Sequence, residues 1–280
     1  MRRVVTLLGR AGLAVFCLLL AALPAAADWT LPPANGKFDY QIGGDYALPK
    51  GVKVVSRDWF AGTAPAGVYG ICYVNAFQTQ PNEPDVDRPD EKDKWPAHLV
   101  LTELGDDPNW DGEYLIDLST PEKRTEAAAY VKPMTEACAA KGFQAVEFDN
   151  LDSWTRFQDS PLASQPPFGR TEAVAYATLL VADAHAAGLA AAQKNTAELS
   201  KTEARTQIGF DFAIAEECGR WKECGRYRAN YGNLVYVIEY RKKDFRKDCQ
   251  NKKLRKRLSI VLRDINVTQP GSGTYKYRAC

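Results

Sequence analysis

Acidic side chains recur at the C-terminal ends of short apolar runs. Glu147 and Asp149 close one run and are followed by Asn150 and Asp152; Gln193, Lys194 and Asn195 end the next, Glu216 and Glu217 a third, and Glu239 a fourth. Earlier, Asp39, Tyr40 and Gln41 lie in the first run, and Tyr73 and Asn75 end the second. Two carboxylates facing each other over a cleft are what glycoside hydrolysis needs: one protonates the leaving oxygen and the other attacks the anomeric carbon or activates water. Asp149 and Glu216 are the first choice, because each closes an apolar run. In Ala145-Val146-Glu147-Phe148-Asp149 a period of two turns Glu147 and Asp149 to one side. The competing reading is structural, with Glu147 or Asp149 ion-paired to Lys194 or Arg263 inside the fold.

What is missing narrows the chemistry. The sequence has no HExxH, GxSxG or P-loop pattern, and His98 and His185 lie away from the run ends. A metal hydrolase of the HExxH kind, a serine nucleophile and a nucleotide site therefore lack their groups. Carboxylates remain as acid and base, and that chemistry requires no metal or organic cofactor. The rings of Tyr40, Tyr73, Trp154, Phe157, Trp221 and Tyr240, at or just past run ends, suit stacking on sugars.

These residues need a frame that gathers strand ends. Eight runs, 38–42, 69–74, 113–117, 145–149, 189–193, 211–216, 234–239 and 259–263, alternate with helix-compatible segments, which predicts a single α/β domain, a (β/α)8 TIM-type barrel with its site at the C-terminal strand ends. An open doubly wound sheet shows the same alternation, but no GxGxxG favours it. Residues 121–140 are expected to be helical, with Thr120 before Pro121 and Glu122 as a start signal. Residues 171–187, 225–231 and 244–257 are further helix candidates, and 52–56 reads as an accessory strand. Segment 76–111, with five prolines and many acids, predicts a lid or rim.

The chain has 280 residues, 45% hydrophobic and 25% charged, which excludes a disordered or collagen-like polymer. Arg2, Arg3 and Arg10 precede an apolar run ending at Leu23, then Ala25-Ala26-Ala27, so residues 1–27 read as a secretory signal and 28–280 as the enzyme domain. A membrane anchor is the alternative, but the run is short for a bilayer. Without those three Arg, 33 Lys and Arg face 35 acids, which argues against nucleic acid as partner. Loss of Cys17 leaves six cysteines, an even number that fits disulfides in an exported protein. Cys218 with Cys224, and Cys249 with Cys280, are plausible pairs, and zinc is the less favoured use.

Six blocks carry a resemblance: Phe38-Asp39-Tyr40-Gln41-Ile42-Gly43-Gly44; Ile71-Cys72-Tyr73-Val74-Asn75-Ala76; Val146-Glu147-Phe148-Asp149-Asn150-Leu151-Asp152; Gln193-Lys194-Asn195; Phe210-Asp211-Phe212-Ala213 through Glu216-Glu217-Cys218; and Val237-Ile238-Glu239-Tyr240. In this order they resemble glycoside hydrolase family 114 over Phe38 to Cys280. The resemblance implies a secreted endo-α-1,4-polygalactosaminidase acting on deacetylated galactosaminogalactan, with the catalytic Asp at Asp149 and the catalytic Glu at Glu216. Many relatives have Gln where Glu217 stands, and Pro where Phe148 stands. A mouth lined by Asp39, Asp149, Asp152, Glu216, Glu217 and Glu239 would concentrate a cationic sugar polymer. Tyr40, Tyr73, Asn75, Glu147, Lys194 and Asn195 are expected to contact substrate or tune the pair. Retention is the expected stereochemistry, and a monomer, free of membrane after cleavage, the expected state. An inactive carbohydrate-binding barrel, or a hydrolase of another α-linked hexosamine glycan, are the alternatives.

Overall fold

Alternation along the strands decides which side chains enter the barrel. The computed structural model describes residues 28–60, 62–84, 95–159 and 163–280, so the expected export segment 1–27 lies outside the described residues. Strands β1 (Phe38–Gln41), β2 (Val54–Asp58), β3 (Tyr69–Val74), β4 (Ala145–Phe148), β5 (Ala190–Lys194), β6 (Phe212–Glu216), β7 (Val235–Glu239) and β8 (Ser259–Arg263) pair in parallel, in chain order. Strand β9 (Tyr277–Ala279) adds antiparallel to β8, and the Tyr277 hydroxyl donates to the Phe38 carbonyl at 3.3 Å, which draws the last strand toward the first. The result is a nearly closed TIM-type barrel.

Two expectations change. Residues 113–117 form no barrel strand: Leu115 bridges Gln78 and Ile116 bridges Val100, both antiparallel, outside the barrel wall. Leu115 and Ile116 bury with Phe77 and Leu99 in the outer core instead. The place in the barrel is taken by β2, read as accessory from sequence, whose consecutive buried Val54 and Val55 suit a wall covered on both sides.

Inside the barrel, Tyr40, Ile71, Tyr73, Ala145, Ala190, Ala192, Phe212, Ile214, Tyr236 and Ile238 pack together. Residues of the opposite parity, among them Cys72, Val74, Val146, Ala191, Ala213 and Val237, pack with the helices. Small Ala190 and Ala192 leave room beside the aromatic Phe212 and Tyr236. Outside lie α1 (Pro121–Ala140), α2 (Arg170–Ala186), α3 (Cys218–Trp221), α4 (Cys224–Tyr231), α5 (Lys242–Gln250) and α6 (Lys252–Arg255). Thr120 caps α1 by accepting Lys123 N–H at 3.3 Å, and α1 has the bounds that its start signal implied. The expected helix 244–257 is instead split in two at Asn251, which caps α6.

Disulfides Cys72–Cys138, Cys218–Cys224 and Cys249–Cys280 tie β3 to α1, α3 to α4, and the C-terminus to α5. Each is worth roughly 2–4 kcal/mol by constraining the unfolded chain. Among the described residues no helix is long and apolar enough to cross a membrane.

Candidate active site

Each candidate catalytic group is delivered by the strand before it. Asp149 follows Phe148 at the end of β4 and shares the inward parity of Glu147; its amide donates to the Val74 carbonyl at 2.9 Å. Glu216 ends β6 with the inward parity of Phe212 and Ile214. Lys194 ends β5 with the parity of Ala190 and Ala192, and lies between the two acids. Its Nζ is 3.0 Å from Asp149 Oδ1 and 3.7 Å from Glu216 Oε2, and only 1% of its side chain is exposed. Those two oxygens are therefore at most about 7 Å apart, the sum of the two distances.

Asp149 Oδ2 accepts the Tyr73 hydroxyl at 2.8 Å, and Oδ1 accepts the Asn150 amide at 2.7 Å. Burial would raise the Asp149 carboxyl, but the Lys194 ammonium and these donors outweigh it and hold it below the ordinary aspartate range. Burial alone would strip Lys194 of its proton; Asp149, Glu216 and Glu147 reverse that and keep it charged. Glu216 accepts Asn195 Nδ2 at 2.9 Å and the Tyr240 hydroxyl, while Asn195 Oδ1 accepts the Glu216 amide at 2.8 Å. Asn195 adopts a positive φ of 45°, a conformation Asn tolerates better than most residues.

Below the pair lies a third carboxyl. Glu147 is fully buried and accepts the Tyr40 hydroxyl at 2.8 Å, while the same hydroxyl accepts Lys194 Nζ at 3.0 Å. Burial pushes Glu147 up to about 7. Glu147, Tyr40 and Lys194 thus form the floor of the cleft, not its wall.

Asp149 and Glu216 both line a groove that continues past Glu216. One part is walled by Asp58, Gln80, Trp110, Glu113, Arg156 and Tyr240; the next by Asp152, Glu198, Glu217, Trp221, Glu223 and Tyr227. Trp110, Asn195, Glu216 and Tyr240 belong to both. Asn75 stands behind the wall, donating to Glu113 Oε2 at 2.9 Å and accepting Asn150 Nδ2 at 2.9 Å. Burial pushes Asp58 and Glu113 up to about 7 each. Glu217, with φ 51°, pairs with Arg220 at 2.6 Å, and Asp152 lies 3.6 Å from Arg156.

Two expected mouth residues lie elsewhere. Asp39 has the parity opposite to Tyr40 and pairs at 3.2 Å with Arg263, both fully buried where β8 faces β1. Glu239 has the parity opposite to Ile238 and Tyr240, so it turns toward the helices, accepts Gly219 N–H at 2.8 Å and packs on Asp248. A side chain at Gly219 would put its Cβ 1.8 Å from Asp248 Oδ2, which explains the glycine. Trp154 and Phe157 are packed into the outer core instead of standing as sugar platforms. Asp58, Glu113 and Trp110 were not singled out from sequence. Asp58 closes β2, so the strand-end rule would have found it had 54–58 been assigned to the barrel. Among the described residues no group of three or more metal-ligating side chains gathers.

The chain matches glycoside-hydrolase family GH114 over residues 20–280. It belongs to that family and is a glycoside hydrolase. Among solved structures, this GH114 chain is similar to Ega3 of Aspergillus fumigatus in complex with galactosamine, at 20% identity and a TM-score of 0.67, covering 90% of this chain and 99% of the other. It is also similar to the glycoside hydrolase domain of PelA from Pseudomonas aeruginosa, at 13% identity and a TM-score of 0.56, covering 88% and 100%. A comparison with curated protein sequences found no match. The two structural likenesses support the GH114 barrel.

Proposed function

We propose that this GH114 enzyme is an endo-acting hydrolase of α-1,4-linked galactosamine polymers, with Asp149 as nucleophile and Glu216 as general acid and base. The observation that carries the reading is Lys194: one buried cation touches both carboxylates, keeps Asp149 ionised and brings the two within reach of one sugar. Asp149 attacks the anomeric carbon as Glu216 gives its proton to the departing glycosidic oxygen. Glu216 then takes a proton from water, which adds to the anomeric carbon and releases Asp149. The cap of about 7 Å between the acids fits the retaining separation, ~5–5.5 Å, and overlaps only the start of the inverting range, ~6.5–9.5 Å.

The substrate class rests on charge. Galactosamine without its acetyl group is cationic near neutral pH, and besides the catalytic pair the groove carries Asp152, Glu198, Glu217 and Glu223, with Asp58 and Glu113, pushed up to about 7, ionised only in part there. Ega3, the similar Aspergillus protein, binds galactosamine. A groove extending past Glu216 suits cleavage within a chain. Export with removal of residues 1–27 completes the reading, and the three disulfides fit an oxidising compartment. The test is incubation with partly deacetylated galactosaminogalactan and with neutral α-linked glycans, followed by mass spectrometry. Short amino-sugar oligomers from the first alone are expected; an intact polymer would reject the proposal.

A further inference from the structure

The two parts of the groove differ in what they touch. Glu216 lines both, whereas Asp149, Asp58 and Glu113 line the first part alone. With Glu216 protonating the departing oxygen, the leaving portion of the glycan points along the second part, and the sugar attacked by Asp149 occupies the first. Asp58 closes β2 in register with Tyr73 of β3, whose hydroxyl donates to Asp149 Oδ2 at 2.8 Å. It therefore reaches the nucleophile from one side of β4 and Glu216 from the other, on β6. Glu113 enters from the rim and is tied to the same place through amides: Asn75 donates to Glu113 Oε2 at 2.9 Å, and Asn150, which follows Asp149, donates to Asn75 at 2.9 Å.

Both carboxyls are held by neutral groups. Buried Asp58 accepts Gln80 Nε2 at 2.8 Å and the Phe60 amide at 3.4 Å, half-buried Glu113 accepts Asn75, and among the described residues neither forms an ion pair. The cations near them are engaged elsewhere. Lys141, near Asp58, donates to the Trp59 carbonyl, and Arg156, near Glu113, pairs with Asp107 at 3.1 Å. Asp149 and Asp107 add further negative charge around Glu113, and burial keeps the Tyr73 phenol, which faces both acids, protonated. Beside Asp58, Gln80 Oε1 is buried at the cavity wall with no hydrogen-bond partner among the described residues.

We propose that Asp58 and Glu113, with Gln80, read the amino group of the sugar attacked by Asp149, taking its ammonium as the counter-charge that the protein does not supply. The inference rests on the galactosamine reading above and assigns it to named residues. An ammonium brings a full charge and three N–H donors to acceptors that lack a cation. A hydroxyl or an N-acetyl group at the same carbon brings one donor and no charge, and leaves the carboxylates uncompensated in a buried wall. Binding then exchanges a proton for the charge of the sugar: near pH 7 each carboxyl of the free enzyme holds its proton about half the time, and it ionises against the ammonium. Affinity for the amino sugar accordingly weakens as pH falls through about 7.

The experiment measures calorimetric binding of an α-1,4-linked galactosamine tetramer, and of its N-acetylated counterpart, to the Glu216→Gln protein in buffers of different ionisation enthalpy; hydrolysis by the parent chain is assayed separately. At pH 7 the amino-sugar tetramer is expected to release roughly half a proton per carboxyl, and its affinity to fall about tenfold or more between pH 7.5 and 5.5. The N-acetylated tetramer is expected to release none. Adding Asp58→Asn and Glu113→Gln should weaken amino-sugar binding at pH 7.5 about tenfold or more and remove most of the proton release, which a merely structural role would not move. These amides copy the shape of the protonated acids; each single substitution, expected to give part of both effects, is measured as well, so that loss of fold in the combined variant still leaves a result. Proton release and affinity unchanged by the substitutions, or equal release with the N-acetylated tetramer, would overturn the inference, while cleavage of the amino-sugar tetramer by the parent would keep the substrate reading. A parent chain that neither binds nor cleaves that tetramer would reject both.

Discussion

Lys194 Nζ lies 3.0 Å from Asp149 Oδ1, and the lysine is almost wholly buried. A fixed cation beneath a carboxylate favours its ionised form, the form in which Asp149 is a nucleophile. Lys194→Met is expected to lower kcat/KM by about a hundredfold or more and to move the acid limb of the pH–rate profile upward. Tyr73→Phe, which removes one donor from the same carboxylate, should move that limb in the same direction by less. An unmoved limb in both variants would separate Asp149 from this control.

Asp149→Asn and Glu216→Gln are each expected to reduce hydrolysis by roughly a thousandfold or more in chains that still fold, with a lower melting temperature in Asp149→Asn, which deprives buried Lys194 of its nearest partner. Substrates with an activated leaving group should recover the first step in Glu216→Gln and not in Asp149→Asn. Recovery in the reverse sense would exchange the two roles.

Glu147 gives a pH-dependent contribution to stability. Its folded value, about 7, stands above the ordinary 4.5, so the folded state holds the proton more tightly. The contribution is complete below about pH 4.5 and is lost as pH rises through about 7. Thermal unfolding of Glu147→Gln between pH 4.5 and 8 should therefore show a shallower decline than that of the parent chain; parallel curves would count against it.

Asp39 and Arg263 are a buried pair that secures β8 against β1. Removing one partner of such a pair costs about 3–5 kcal/mol. Asp39→Asn should show a loss of that order in denaturant unfolding, with kcat/KM of the folded fraction near the parent value. A rise in KM without loss of stability would return Asp39 to the substrate.

Charge in the groove should be visible in kinetics. Asp152→Asn and Glu217→Gln are expected to raise KM for a cationic oligomer several-fold with little change in kcat, and the parent kcat/KM should fall as salt increases. Insensitivity to salt would argue for a neutral glycan.

Much of the arrangement was legible in the chain. Apolar runs with polar ends marked seven of the eight barrel strands, and Thr120-Pro121-Glu122 marked the start of α1. A period of two placed Glu147 and Asp149 on one side. The misreadings have physical causes. Residues 54–58 and 113–117 are both short mixed runs ending in Asp, and only their hydrogen-bond partners, β1 and β3 for one, rim residues Gln78 and Val100 for the other, separate a barrel strand from a surface bridge. The parity of Glu239 relative to Ile238 was visible, but which parity faced inward was not, since up to Glu239 both sides of β7 are apolar, Val235 and Val237 on one and Tyr236 and Ile238 on the other.

Local sequence, through alternation, capping and turn residues, was thus enough to place seven of the eight barrel strands and the polar residues at their ends. Tertiary structure decided which of those acids share a cleft. Lys194 bridging Asp149 and Glu216, Asp39 held by Arg263 and Glu239 facing Asp248 are contacts between residues far apart in the chain or on different faces of the wall. They follow from closing the sheet, because closure fixes the register of all strands at once, and no single stretch of sequence contains that information.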